Sequence, residues 1–232
     1  MKKQLYKLFP FIPKVNFWIG LKMYAAKVKW NRNNVKKALT DTRDFYANIG
    51  CGSLGLDNWI NIDWSAYQNV TYTFDCRVAL PFADNSAKGL FTEHFFEHID
   101  YVTDVPPFLQ HCYRSLQKDG VLRIIVPDAE KYLFGYVQDG WDYLKQTRPL
   151  DDNLNDALMG IKYETKMQLV NEVFRQGGEH KYAWDFETMK LCLNKAGFTN
   201  VYKMAYLQSN DPHLKIDQAM RQYESLYVEA IK

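Results

Sequence analysis

The chain has 232 residues, of which 47% are hydrophobic and 24% charged, and its formal net charge is +2. This length suits one domain with one sizeable core, and the composition excludes a disordered chain. The nearly neutral charge, without a long basic run, argues against nucleic acid as the partner. The cysteines form no Cys-x-x-Cys pair, which argues against a zinc site and a disulfide framework and favours a reducing, cytoplasmic setting. They are Cys51, Cys76, Cys112 and Cys192.

The first 43 residues precede the strand pattern and are predicted to form a helical segment that packs on the core. Residues 14–30 carry apolar side chains at helical spacing with lysines between them. Such a helix can dock on a membrane surface or a partner through residues 1–30, or it can pack across the domain. We favour packing, because an apolar stripe usually faces a core. No apolar run approaches the ~20 residues that cross a bilayer, and Pro10 and Pro13 interrupt the stretch that resembles a signal peptide.

From residue 44 onward the sequence changes to short apolar strands, and the main domain is predicted to span residues 44–232. Two helices are predicted to begin after Asp104 and Asp185 and to end at Gly120 and Gly197. Strands that alternate with helices predict an α/β fold with a mostly parallel sheet. The predicted strands are residues 45–49, 59–62, 70–74, 90–92, 121–126, 201–205 and 226–231.

Residues 129–179 interrupt this alternation with an aromatic stretch that contains several predicted helices. In an open α/β sheet, ligands bind beyond the carboxyl ends of the strands. An insertion after the fifth strand is therefore placed to cover such a site. A decorative subdomain is the alternative, but the aromatic content favours a helical lid.

The first strand ends in a glycine-rich turn, Gly50-x-Gly52-x-x-Gly55, where the backbone can approach a ligand closely. The spacing matches the dinucleotide fingerprint, but that fingerprint needs a crossover helix and an acidic residue ~20 positions later. Here Asp63 comes only eight positions after Gly55, and no full helix fits between them. We therefore predict a tight loop in place of the first crossover helix, and a nicotinamide site is disfavoured.

Several further motifs follow the glycine turn in a characteristic order. They are Ala47-Asn-Ile-Gly-Cys-Gly, Trp-Ile-Asn-Ile-Asp63, Phe-Asp75-Cys-Arg, Thr-Glu93-His-Phe-Phe-Glu-His98, Arg-Ile-Ile-Val-Pro-Asp128 and His180-Lys-Tyr-Ala-Trp. In this order the chain resembles class I S-adenosylmethionine-dependent methyltransferases over residues 44–231, and most of all small bacterial members assigned to cell-surface sugar pathways. The resemblance implies a Rossmann-like sheet with an antiparallel last strand, S-adenosylmethionine as cofactor, and O-methylation of a small-molecule or saccharide acceptor. A methyltransferase-like module that binds without catalysis is the alternative.

The resemblance also implies roles for the residues at the strand ends. Gly50 and Gly52 are expected to pass under the methionine end of the cofactor, and Asp63 to bind the ribose hydroxyls. Asp75 is expected to accept from the adenine amino group, with the backbone N–H of Cys76 on a ring nitrogen. The full cofactor-binding set expected from the resemblance is Asn48, Gly50, Cys51, Gly52, Asp63, Trp64, Asp75, Cys76 and Glu93.

The segment after the fourth strand concentrates titratable groups. Glu93, at the strand end, is expected from the resemblance to border the transferred methyl. His94, His98 or the later His180 can act as the base that removes the acceptor's proton, although His98 is equally consistent with a structural histidine bonded to backbone. Residues 94–98 also match His-x-x-Glu-His, in which two histidines bind zinc and the glutamate is the base of a hydrolase. That pattern needs a helix and a further ligand, so we predict no metal.

Three residues are candidates for binding the acceptor. Asp128 follows the fifth strand, Tyr132 lies in the insertion, and Tyr182 lies in the loop that returns from it to the sheet. Asp128 is equally consistent with a backbone cap. Aromatic side chains in a lid suit stacking on a sugar ring or on a planar small molecule, in agreement with the acceptor that the resemblance implies.

Overall fold

Strands and helices alternate along the chain in a computed structural model that describes residues 12–77 and 79–232. The strands are β1 (Phe45–Ile49), β2 (Ile60–Asp63), β3 (Tyr72–Thr73), β4 (Ala87–Glu93), β5 (Leu116–Pro127), β6 (Asn200–Met204) and β7 (Ser225–Ile231). The α-helices are α1 (Ile12–Leu39), α2 (Val105–Ser115), α3 (Ala129–Val137), α4 (Asp142–Thr147), α5 (Lys166–Arg175) and α6 (Phe186–Lys195). Each strand predicted from the sequence is present, although several ends differ.

The strands form one sheet in the order β3-β2-β1-β4-β5-β7-β6. Strands β1 to β5 run parallel to one another, with Ala47 opposite Ile60 and Leu90 opposite Leu122. Strand β7 runs antiparallel to both β5 and β6. The predicted mostly parallel sheet with an antiparallel last strand is confirmed. The chain order reverses between β1 and β4, and the carboxyl ends of strands at such a point border a ligand crevice.

The core lies on both faces of the sheet, and β5 shows why. Leu122, Ile124 and Val126 belong to one apolar cluster with α2 and α6, while Val121 and Ile125 belong to a second cluster. A strand buried on both faces is a nearly continuous apolar run, which made β5 the clearest strand in the sequence. Burial of each such side chain stabilises the folded state by about 1.5–3 kcal/mol, compared with leaving it exposed to water.

The connection between β1 and β2 contains no helix, as the short spacing before Asp63 predicts. Two asparagines hold this loop. The Asn48 amide donates to the Leu54 carbonyl at 3.1 Å, and the Asn61 side chain bonds both the N–H and the carbonyl of Leu56, at 2.9 and 2.8 Å. Side-chain amides thus satisfy backbone groups that a crossover helix would otherwise pair.

The insertion after β5 is helical, as predicted, and consists of α3, α4 and α5 around a small core of its own. Buried polar contacts join this lid to the start of β7. The Arg148 guanidinium donates to Asp156 at 2.9 Å and also to Glu224, which accepts from the Tyr132 hydroxyl at 2.8 Å. Because these groups are buried, each needs the others to compensate its lost hydration.

Helix α1 precedes the sheet in the chain, and the C-terminal end of this helix packs against the main core. Val35 and Leu39 are buried in the main core, and the Asn31 amide donates to the Thr73 carbonyl at 2.8 Å. Residues 1–11 lie outside the described residues, and they include most of the stretch compared with a signal peptide and the start of the membrane-docking segment. Across the part of the chain that is described, we find no helix with the length and hydropathy to span a bilayer.

Candidate active site

A cavity of about 250 Å³ lies at the carboxyl ends of the parallel strands. We call it the strand-end cavity. Three turns supply its wall, one after each of β1, β2 and β3, and the segment after β4 closes it. Its lining residues are Gly50, Asp63, Trp64, Phe74, Asp75, Cys76, Arg77, Phe95, His98 and Ile99. The structure therefore brings together, in one cavity, Gly50, Asp63, Trp64, Asp75 and Cys76 of the expected cofactor-binding set.

The glycine turn has a backbone that only glycine adopts without strain. Gly50 has φ +68° and Gly52 has φ +52°, both in the left-handed region. A Cβ on Gly50 would lie 2.3 Å from the Phe95 ring, whereas a Cβ on Gly52 would meet nothing within 4 Å. Gly50 therefore has no room for a side chain because of the Phe95 ring, whereas the space next to Gly52 is open.

The neighbours of the glycines support the turn from behind. Asn48 is buried, with its amide on the Leu54 carbonyl, so its side chain holds the loop and does not line the strand-end cavity. The Cys51 thiol contacts the Gly52 carbonyl at 3.6 Å. Burial, with the charge of Asp63, raises the pKa of Cys51 to about 11, so this thiol is neutral.

Asp63 presents a carboxylate whose position is fixed by backbone. Its Oδ2 accepts from the Gly52 N–H at 2.8 Å and its Oδ1 from the Ser65 N–H at 2.7 Å. Each carboxylate oxygen has a second lone pair that these bonds leave open. The geometry suits two neighbouring hydroxyls, which can each donate to one oxygen.

Asp75 is held by Arg77, a residue that the sequence gave no reason to assign. The Arg77 Nε and Nη2 donate to Oδ1 and Oδ2 of Asp75, both at 2.9 Å. The same guanidinium stacks over the Trp64 ring at 4.9 Å. Because a bidentate arginine fixes carboxylate orientation, Asp75 is preorganised to accept one more donor from the cavity. Cys76 beside it is buried, which raises its thiol pKa well above its usual value.

A second, polar pocket of about 180 Å³ adjoins the strand-end cavity, and His98 lines both. We call it the polar pocket. The segment after β4 forms one wall, and the lid and the turn before β7 form the others. Its lining residues are His94, Glu97, His98, Pro127, Arg148, Met159, Glu172, Val173, Gln176, His180 and Arg221. Two predicted histidines that are far apart in sequence, His98 and His180, meet here.

Glu97 is the buried carboxylate at the centre of this pocket, with 1% of its surface exposed. Its Oε1 lies 3.1 Å from His94 Nδ1 and 4.0 Å from His180 Nε2. Burial raises the pKa of Glu97, but the His94 hydrogen bond and the neighbouring histidines outweigh it and leave that pKa below its usual value. The carboxylate is therefore ionised.

His180 is anchored from the lid side of the pocket. Its Nδ1 donates to the Val173 carbonyl at 2.6 Å, which leaves the lone pair on Nε2. Burial lowers the pKa of His180, so the ring is neutral. The His98 and His180 rings meet edge to face, with centroids 4.7 Å apart.

The zinc-hydrolase pattern at residues 94–98 is not formed. His94 precedes a 3-10 turn, not an α-helix, and has φ +52°. Both its ring nitrogens are engaged, Nδ1 by Glu97 and Nε2 by the Ser225 hydroxyl at 3.1 Å. His94 therefore positions Glu97 and does not share a metal centre with His98 in the way that the hydrolase hypothesis requires.

Glu93 lies at the end of β4, but its carboxylate turns away from the strand-end cavity. It accepts from the Gln218 backbone N–H at 3.1 Å and from the Gln218 amide at 3.0 Å. Burial raises the pKa of Glu93. In this conformation Glu93 fixes the segment before β7 and does not border the cofactor end of the site.

The expected acceptor-binding residues lie elsewhere. Tyr132 is fully buried with its hydroxyl on Glu224 and does not line the polar pocket. Tyr182 stacks on Tyr101, with centroids 4.3 Å apart, and lines neither pocket. Asp128 caps α3 through the Glu130 N–H at 3.1 Å and lines a separate groove of about 850 Å³.

Sequence comparison gives one domain match. Residues 48–124, from β1 into β5, match the family model described as "Methyltransferase domain". The matched segment contains every residue that lines the strand-end cavity and ends before the lid. No curated protein shows significant similarity to the chain.

Several solved structures are similar to this chain at low sequence identity and low TM-score. An S-adenosylmethionine-dependent methyltransferase from Archaeoglobus fulgidus is 16% identical with a TM-score of 0.47, over 91% of this chain and 99% of that chain. One from Thermotoga maritima, described as a possible histamine N-methyltransferase, is 16% identical with a TM-score of 0.47, over 98% and 99%. A possible exported protein from Bordetella parapertussis is 14% identical with a TM-score of 0.44, over 87% of this chain and 66% of that chain. This chain thus spans just under two thirds of the Bordetella protein.

Proposed function

We propose that the chain, of which residues 48–124 match a methyltransferase-domain family model, is a class I methyltransferase that depends on S-adenosylmethionine and methylates a hydroxyl oxygen of a small-molecule or saccharide acceptor. The observation that supports this most is that His98 lines both the strand-end cavity and the polar pocket. A methyl donor in the first and a hydroxyl in the second would meet beside His98, where direct transfer depends on the alignment of the two.

The strand-end cavity is the proposed seat of the cofactor. The methionine part would cross the open backbone at Gly50 and Gly52, and the ribose hydroxyls would each donate to one oxygen of Asp63. The adenine amino group would donate to Asp75, which the Arg77 bidentate pair holds in place. Fixed acceptors of this kind bind without a large ordering cost.

The polar pocket is the proposed seat of the acceptor. In the reaction, an oxygen lone pair of the acceptor forms the bond to the methyl carbon, the carbon–sulfur bond breaks, and its electron pair stays on sulfur. S-adenosylhomocysteine, the methyl ether and one proton result. The ionised Glu97 with its three histidines is placed to promote loss of that proton, which a hydroxyl requires and many nitrogen acceptors do not.

A saccharide is the acceptor class that we favour. The polar pocket presents carboxylates, imidazoles and guanidinium groups, which suit a ligand rich in hydroxyls. The resemblance to methyltransferases of surface-sugar pathways points the same way. All four cysteines are free thiols, which supports the proposed cytoplasmic setting.

Calorimetry with S-adenosylhomocysteine tests the cofactor site. We expect the wild type to bind it, and Asp63→Asn to weaken binding by at least about tenfold, since a hydrogen bond to a charged group contributes about 1.5–3 kcal/mol. Asp41→Asn is the matched control, because Asp41 is exposed on the turn after α1. Absence of binding by the folded wild type, or equal binding by Asp63→Asn, would contradict the proposal.

The acceptor class needs a separate experiment. We propose a screen of nucleotide-sugars and glycan fragments for transfer of a labelled methyl group, followed by mass spectrometry to locate the methylated atom. A methyl ether on a saccharide hydroxyl is the expected product. A product methylated on nitrogen would refute O-methylation, and cofactor binding without turnover on any acceptor would favour the non-catalytic module.

A further inference from the structure

Three donor atoms converge on one side of the polar pocket. One carboxylate oxygen of Glu97 and one ring nitrogen each of His98 and His180 all lie within 4.8 Å of one another. Glu97 and His98 come from the 3-10 turn after β4, and His180 comes from the loop that leaves the lid. We propose that Glu97, His98 and His180 bind a divalent transition-metal cation.

The Glu97 carboxylate is only half satisfied. Its Oε1 is held by His94 Nδ1 at 3.1 Å, while its Oε2 is buried and has no hydrogen-bond partner among the described residues. A buried oxygen without a partner costs about 1–3 kcal/mol, and more when it is charged. A cation bound at Oε2 would remove this cost. His94 would then be the outer partner that orients the ligating carboxylate.

His180 has the tautomer and the anchor of a metal ligand. Its Nδ1–H donates to the Val173 carbonyl at 2.6 Å, so Nε2 carries a lone pair. Nε2 lies 4.0 Å from Oε1 of the ionised Glu97 carboxylate, so a cation bound to that carboxylate would have this nitrogen within reach as a second ligand. Histidine ligands typically donate their other ring N–H to a backbone carbonyl in this way.

His98 completes the set. One of its ring nitrogens is the third of the converging donor atoms, and its ring packs edge to face on that of His180. Two imidazoles and one carboxylate form the set found at catalytic zinc sites, with open positions for a further ligand. Tetrahedral bonds of about 2.1 Å place donors about 3.4 Å apart, so Glu97 Oε1 and His180 Nε2, which are 4.0 Å apart, would approach each other on binding.

This inference rests on the proposed function and says how the polar pocket activates the acceptor. The open position of the cation would take the acceptor hydroxyl oxygen. Coordination lowers the pKa of a bound hydroxyl, as it does for zinc-bound water. The hydroxyl proton then leaves to solvent water, and the oxygen that remains is the nucleophile for the methyl group. His98 and His180 act as ligands in this scheme, and neither needs to take up the proton.

Zinc is the probe for the test. The full chain is treated with a chelator, desalted, titrated with zinc by calorimetry, and then passed through a desalting column for elemental analysis. We expect about one zinc per chain, and at least tenfold weaker binding for Glu97→Gln and for His180→Ala. His213→Ala is the control, because His213 is exposed outside the polar pocket, and it should bind zinc as the wild type does.

Two results would overturn the inference: no stoichiometric zinc on the wild type, or unchanged zinc binding in both Glu97→Gln and His180→Ala. Calorimetry with S-adenosylhomocysteine on the same samples separates this outcome from failure of the proposed function. Cofactor binding without zinc binding would leave the methyltransferase proposal intact and remove the metal site. Substitution of cobalt gives a second readout, since the visible spectrum reports nitrogen and oxygen ligands and should be lost in His180→Ala.

Discussion

The strand-end cavity and the polar pocket adjoin each other, yet they are built in opposite ways. The strand-end cavity takes its lining from one continuous stretch, residues 50–99, in which successive strands end at the same edge of the sheet. The polar pocket joins residues 94–98 to the lid and to Arg221. One site is local in sequence, and the other exists only after the lid has packed on the sheet.

The difference has an energetic consequence. The strand-end cavity is fixed by backbone hydrogen bonds and by Asp63 and Asp75, whose carboxylates are held by groups at most 11 residues away. The polar pocket depends on buried ionic contacts between distant segments, such as Arg148 with Glu224. We therefore expect damage to the lid to spare the cofactor site, and damage to the glycine turn to spare the lid.

The largest expected effect is that of Arg148→Ala. This change removes the cation that pairs with Asp156 and with Oε2 of Glu224, although Arg221 still holds Oε1 of Glu224 at 2.7 Å. Loss of one member of a buried pair costs about 3–5 kcal/mol. Urea unfolding should show this loss, and hydrogen exchange should place it in the lid. Affinity for S-adenosylhomocysteine should stay within about threefold, because distant sites are additive to about 0.5 kcal/mol.

Lys145→Ala is the matched control for Arg148→Ala. Lys145 lies in α4, which ends one residue before Arg148, and pairs with the exposed Asp152 at 3.0 Å. Such surface pairs contribute about 0–1 kcal/mol. If Arg148→Ala lost as much free energy of cofactor binding as it lost free energy of unfolding, the strand-end cavity and the polar pocket would not be energetically separate.

Gly50→Ala and Gly52→Ala should differ although both residues have positive φ. Each alanine costs about 1–2 kcal/mol for its left-handed backbone. At Gly50 the new Cβ also meets the Phe95 ring at 2.3 Å, which adds about 1–3 kcal/mol of overpacking and displaces the wall of the strand-end cavity. Thermal unfolding measures the difference in stability between the two variants. Calorimetry with S-adenosylhomocysteine measures the difference in cofactor affinity that the displaced wall would cause.

Gly52→Ala is itself the control for the Phe95 contact, since nothing lies within 4 Å of its added Cβ. Equal losses of stability in Gly50→Ala and Gly52→Ala would show that the Phe95 ring moves away from the added Cβ at little energetic cost. In that case Gly50 matters only for its backbone conformation.

The sequence was sufficient to predict which residues come together at the strand-end cavity, because each turn there is specified by residues close to it in the chain. The short distance between Gly55 and Asp63 excluded a crossover helix, and the structure has a loop held by asparagine side chains. Asp75 follows its strand directly, so its place at the sheet edge was also predictable.

The features that the sequence did not predict depend on contacts between distant parts of the chain. Tyr132 is buried with its hydroxyl on Glu224, 92 residues later. Helix α2 ends at Ser115 and not at the predicted Gly120 because Leu116 already pairs with Ala87 of β4. Neither contact leaves a local pattern in the sequence. The meeting of Glu97 with His180 has the same origin.

The smallest expected effect concerns Glu93, whose place in the strand-end cavity the resemblance implies and whose carboxylate the structure turns to Gln218. Because burial raises the pKa of Glu93, its charged form weakens the fold, and stability is lost as pH rises through the folded-state pKa. Glu93→Gln should therefore raise the melting temperature at pH ~8 more than at pH ~4, with the Gln218 amide turned over to keep both bonds. Glu164→Gln, at an exposed position, should show no such difference. Unchanged affinity for S-adenosylhomocysteine in Glu93→Gln would place Glu93 outside the cofactor site, and a tenfold loss, about 1.4 kcal/mol, would return it there.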